Sequence, residues 1–163
     1  MKTTKEYLLQ LIDGETPAFV KVLEALPADK MDWKPDPKAA TAKERASQIA
    51  MEGDQMGDIF EKGVIIYDPA ANPSYASTAE MTSVFKAGMA RAKDAITKMS
   101  DADWEGDAKM MMGGKEAWKT TKGEMGLGFM LDLIHHRGQL SVYIRPMGGK
   151  VPSIYGPSAD TME

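Results

Sequence analysis

The chain has 163 residues, with 20 Lys+Arg against 24 Asp+Glu and a formal net charge of −4. That balance, with no block of basic residues, argues against a nucleic-acid binder, which needs clustered Lys/Arg to displace counterions. Cysteine is absent, so disulfides, thiolate metal sites and a thiol nucleophile of the protein's own are excluded. The expectation is one domain over residues 1–163, cytoplasmic, with no membrane span, because no stretch approaches ~20 apolar residues.

In chain order, Leu8, Leu11, Ile12, Phe19, Val22, Leu23 and Leu26 recur at three-four spacing and predict a first helix over 4–26. Gly14 and Pro17 interrupt the pattern and predict a kink, since proline removes a backbone donor. Met31–Pro37 reads as an extended, proline-bound connector whose Trp33 packs back on the helices. Thr41-Ala42-Lys43-Glu44 is a capping box opening a second helix that runs to about Gly63. Gln48 and Glu52 lie on one edge of its apolar stripe. Glu52 reads there as a solvated charge. Residues 64–73 read as a long crossover. Ser77-Thr78-Ala79-Glu80 opens a third helix with a near-heptad seam from Met81 to Met99.

Residues 104–120 carry Trp104, Trp118, three consecutive methionines and Gly113-Gly114, and fit either an irregular excursion or a short hairpin. Thr121-Lys122-Gly123-Glu124 opens a fourth helix, closed by Pro146 and Gly148-Gly149. The tail from Val151 to Pro157 is apolar enough to lie on the helices. No convincing strand run appears, so the predicted class is all-α, a four-helix bundle with long connections and a packed C-terminal tail.

The fourth helix holds both histidines, in Leu131-Asp132-Leu133-Ile134-His135-His136-Arg137-Gly138-Gln139-Leu140. At about 100° per residue, Asp132 and His136 share a face with Met125, Phe129, Leu140 and Tyr143. An acid and an imidazole on a face that otherwise reads as core need partners: each other, a third side chain, or an ion. His135 points elsewhere and reads as a surface or interface residue. Arg137 and Gln139 read as a structural pair bracing the tail or a subunit, and Gly138 as a point of close helix approach. Tyr143 reads as a core tyrosine with its hydroxyl at an edge.

His135-His136-Arg137-Gly138-Gln139-Leu140-Ser141-Val142-Tyr143-Ile144-Arg145, followed by Val151-Pro152-Ser153-Ile154-Tyr155-Gly156-Pro157, resembles the C-terminal signature of the DinB-like (YfiT-like) superfamily. The Trp33-Lys34-Pro35 connector fits as well. The resemblance implies a four-helix bundle, often a homodimer, with a divalent metal, zinc or nickel, on three histidines. It also implies metal-dependent transfer or isomerisation with low-molecular-weight thiols in some members. Carried onto this chain, the implied ligand positions fall on Gln48, Asp132 and His136, so one histidine of three is kept. A Gln carbonyl is a weak zinc ligand, and a carboxylate in place of an imidazole makes a poorer Lewis acid.

The first reading is therefore a degenerate, metal-free polar cluster in which Asp132 and Gln48 satisfy His136 and no catalysis occurs. The alternative is a variant metal site, extended by Glu52, that activates an external thiol or water for S-transfer or hydrolysis of a small molecule.

Overall fold

A computed structural model describes residues 2–68 and 73–162; the centre of the predicted crossover, 69–72, lies outside the described residues. Four long helices carry the fold: α1 (Thr4–Glu24), α2 (Ala42–Lys62), α3 (Thr78–Lys98) and, after a four-residue helix α4 (Asp101–Trp104), α5 (Lys122–Ile144). α1 and α2 each pack against both α3 and α5. No helix among the described residues is long and apolar enough to cross a membrane.

The helices start where side chains satisfy free backbone donors. Thr41 Oγ1 accepts from Glu44 N while Glu44 accepts from Thr41 N at 2.7 Å, and Thr3 and Glu6 do the same at the head of α1. Ser77 and Thr121 accept from Glu80 N and Glu124 N at the heads of α3 and α5, but there the box is not closed: Glu80 accepts from Ala76 N and Glu124 from the Thr120 hydroxyl. At its other end α2 stops at Gly63, whose φ of 66° is the left-handed conformation that glycine accepts without a Cβ clash. Gly14 and Pro17 do not interrupt α1, which is helical from Thr4 to Glu24.

The all-helical expectation needs correction. Val64–Tyr67 is a strand, β1, which pairs in parallel with β2 (Asp107–Met112); β2 pairs antiparallel with β3 (Lys115–Thr121). Most of the 104–120 segment is thus a hairpin, turning at Gly113-Gly114 with φ of 57° and 77°. A register shift at Met110/Met111 bends it. Four residues of β1 are too few to show a strand period, and their partner lies over forty residues along the chain.

The tail packs on the helices as its composition predicts. Arg137, 2 % exposed, pairs with Glu15 from α1 and donates to the Tyr155 hydroxyl at 2.6 Å. The Tyr155 hydroxyl donates in turn to Glu15 at 3.0 Å. The guanidinium sits over the Phe19 ring, 4.6 Å from its centroid. This clasp is what the Arg137 position in the fourth-helix motif does. Trp33 packs edge-on to Tyr143 at 5.3 Å, and the Tyr143 hydroxyl donates to Ala40 O.

A carboxylate–imidazole cluster as candidate metal site

α2 and α5 lie side by side, which brings the polar edge of one to the Asp132/His136 face of the other. Helical spacing puts Arg45, Gln48 and Glu52 on successive turns of α2, and Asp132, His136 and Gln139 on α5. Gln48 Nε2 lies 2.7 Å from His136 Nε2 and donates to Glu52 Oε1 at 2.7 Å. Glu52 Oε1 and Asp132 Oδ2 approach His136 Nε2 to 3.5 and 3.4 Å.

The network orients these groups. Arg45 can only donate, and its Nη1 lies 2.5 Å from Gln48 Oε1, so the Gln48 amide oxygen faces Arg45 and its NH₂ faces inward. With an NH₂ group at Nε2, the consistent tautomer has Nε2 accepting and Nδ1–H donating to Gln139 Oε1 at 3.2 Å. Arg45 Nη1, 3.0 Å from Nδ1, is then an adjacent cation rather than a partner of the ring. A lone pair on Nε2, with the opposite nitrogen bonded to a carbonyl, is the arrangement of a metal-ligating histidine.

Glu52 corrects the sequence reading. Instead of a solvated charge it is 6 % exposed, and its Oε2 is buried with no hydrogen-bond partner. Burial is the main reason its pKa is pushed up to about 8; the nearby Asp132 carboxylate raises it further, while the Gln48 hydrogen bond and Arg45 pull it down. The site was legible one turn away, at Gln48, but the cover that buries Glu52 was not. Arg45, which sets the Gln48 amide, gave no signal beyond its place three residues before Gln48.

Would the residues present fit a divalent cation? One ligand atom each from Glu52, Asp132 and His136 lies within 4.8 Å of the others, close enough to hold one ion. Two carboxylates and one imidazole balance a dication, and the orphaned Glu52 oxygen gains a partner. The donor set fits. The structure also brings Gln48 to this cluster, with its amide nitrogen rather than its oxygen facing the triad. His135 is exposed and bonded to Gln139. Gly138 has no heavy atom within 4 Å of where a Cβ would stand, so it makes no close helix approach within the described chain.

Glu52, Asp132 and Gln48 line a pocket of about 430 Å³ between α2, α5 and the sheet. Its other walls are largely apolar, from Tyr67, Met110, Met112, Trp118 and Phe129, with Gly128 at the floor of the α5 side. A Cβ at Gly128 would lie 3.4 Å from Trp118 Cη2, ordinary van der Waals contact, so the indole lies close to α5 at this point.

Comparison with known proteins agrees with this architecture. A crystal structure of a DinB-like protein from Bacillus cereus superposes with a TM-score of 0.70 at 20 % identity, covering 92 % of this chain and 97 % of that one. A DinB-like protein from Bacillus subtilis gives a TM-score of 0.67 at 16 % identity, covering 93 % and 99 %. At these identities the likeness speaks for the fold alone. No curated protein matches the sequence. The DinB family profile matches residues 1–163, and this chain belongs to the DinB family.

Proposed function

We propose that this DinB-family protein holds a divalent cation between Glu52, Asp132 and His136 and uses it on a small molecule seated in the adjoining pocket, by thiol transfer or hydrolysis. The observation that carries the reading is the convergence of three ligand atoms within 4.8 Å at a buried carboxylate with an unpartnered oxygen. Two carboxylates to one imidazole shift the preference from nickel toward a harder ion such as manganese, while zinc accepts both ligand types. Such an ion supplies Lewis acidity for activating an external thiol or water, which suits a chain without cysteine.

The protein's own groups do the rest. Gln139 holds the imidazole with Nε2 inward, Arg45 holds the Gln48 amide, and the hydrophobic walls exclude water from one side of the reacting molecule. The ring of four long helices supports placing this chemistry in a four-helix bundle, with the small sheet as the pocket's outer wall.

One observation favours a metal-free reading instead: the Gln48 NH₂ already meets both His136 Nε2 and Glu52 Oε1. Equilibrium dialysis against zinc and manganese separates the two. One equivalent per chain is expected, with affinity falling at least about a hundredfold in Glu52→Gln and His136→Ala. Failure to retain stoichiometric metal, or retention indifferent to His136→Ala, leaves the hydrogen-bonded cluster as the correct description.

We further propose a homodimer through the outer face of α5. Leu131 and Val142 are 66 % and 67 % exposed there, and His135 and Gly138 lie between them at helical spacing. An apolar stripe with an open glycine at its centre supports close packing against a second copy. Sedimentation should give a dimer that Leu131→Asp converts to monomer without loss of helicity. A wild-type monomer at micromolar concentration rules the interface out.

A further inference from the structure

The pocket beside the Glu52/Asp132/His136 cluster has a charge asymmetry that restricts what it can admit. Its lining includes two carboxylates, Glu52 and Asp132, and among the described residues no Lys or Arg. Nearby cations are committed elsewhere. Lys109 pairs with Glu116 at 2.9 Å and Lys119 with Asp107 at 2.7 Å. Arg45 stands behind Gln48, bonded to its amide oxygen.

The remaining walls carry thioether and aromatic surface, and two of them are left open to water: Met112 is 41 % and Trp118 39 % exposed. Large apolar groups at a pocket mouth gain from being covered by an apolar ligand. The polar end gives a second, independent indication of a ligand. Glu52 is more than nine-tenths buried, yet its Oε2 has no partner.

We infer that the pocket selects an uncharged small molecule with a flat aromatic or apolar body, and rejects one bearing a carboxylate or phosphate. Trp118, Phe129 and the methionines take the body, and a neutral donor group on the ligand turns toward Glu52 and Asp132. An acid group would meet the Asp132 and Glu52 carboxyl groups and no basic side chain. A cation held by the triad would itself attract an acid group, so the selection is a property of the metal-free pocket and its walls. Peptide-like thiols with several carboxylates are therefore poor occupants, while their uncharged reaction partners fit. The inference rests on the pocket being the ligand site proposed above, but not on the metal.

Matched probes test it: 2-naphthalenemethanol and 2-naphthoate, titrated into the full chain by calorimetry in EDTA at about pH 9. The Trp118 indole resonance, identified with Trp118→Phe, localises binding. The alcohol should bind and shift that resonance, with the naphthoate roughly tenfold or more weaker. Asp132→Asn should narrow the gap. Equal or tighter binding of naphthoate, no binding of the alcohol, or a gap unchanged in Asp132→Asn would each overturn the inference. Because EDTA removes the metal, failure here is separable from failure of metal dialysis.

Discussion

Glu52→Gln is expected to stabilise the metal-free protein above neutral pH and to remove most of a pH dependence that the native chain shows. The Glu52 carboxyl titrates near 8 in the folded state and near 4.5 when unfolded. Between those values the folded state keeps a proton that the unfolded chain has released, so unfolding free energy falls as pH rises. The stabilising effect of the proton is complete below about 4.5 and gone above about 8. Over that window the loss is on the order of 3–5 kcal/mol, from 1.36 kcal/mol per pKa unit.

An amide has no such transition, and its oxygen can still accept from Gln48 Nε2. Asp132, Arg45 and His136, the titratable and charged groups that face Glu52, remain in the variant, so the difference between the two curves reports on Glu52 and its coupling to them. Urea denaturation in EDTA from about pH 5 to 9 should show the curves diverging toward alkaline pH, with the variant more stable. Parallel curves would mean that Glu52 is ionised at little cost in the folded protein. Added zinc should reverse the order, because a bound cation favours the carboxylate and the amide forfeits a ligand.

Gly88→Ala should have the opposite effect, a loss of more than about 3 kcal/mol, beyond the usual range for overpacking a core. A Cβ built on Gly88 in α3 would lie 2.1 Å from Gly53 O and 2.4 Å from Asp54 Cα in α2. These are backbone atoms inside a helix, so no rotamer change relieves the contact. The α2–α3 contact, the largest between helices, would have to open. Gly14→Ala is the control. That helical glycine in α1 has nothing within 4 Å of a built Cβ, so alanine should add about 0.5–1 kcal/mol through helix propensity alone. Thermal unfolding of both variants decides the matter. A Gly88→Ala protein with native melting behaviour would mean that α2 and α3 sit farther apart than described.

The metal question and the stability question meet at the same residue. A buried carboxylate that destabilises the apo protein is a feature that ligand binding can turn to advantage, because its ionised form is the one a cation recruits. The clasp of Glu15, Arg137 and Tyr155 is different in kind. Its charges are paired within the chain and bonded to the tail, so it has no open valence for a ligand.

Much of the helical framework is written in local pattern. Thr41/Glu44 and Thr121/Glu124 mark helix starts because a side-chain oxygen three residues from a backbone N–H is a local geometric fact. The near-heptad spacing of Phe85, Ala92 and Ile96 marks a buried face for the same reason. The Asp132/His136 pair is also local, one helical turn apart, and the family resemblance rests on the residues around it. Tertiary structure decided what lies across from that pair. Val64–Tyr67 became a strand only because Lys109–Met112 lies beside it, a pairing that no short-range period can encode. Gly138 looked like a helix contact, yet no heavy atom lies within 4 Å of where its Cβ would stand.

Glu52 is the clearest case. One turn from Gln48, on the edge of an amphipathic helix, a glutamate is ordinarily solvated. The approach of α5 and the sheet buries it, raises its pKa and sets its oxygen beside Asp132 and His136. The sequence by itself determined where the helices begin, which faces they bury and where one acid and one imidazole would meet. Only the tertiary structure decided that a second carboxylate joins them and that an apolar pocket opens beside them, because burial and charge balance depend on every element packed around a residue, not on its neighbours in the chain.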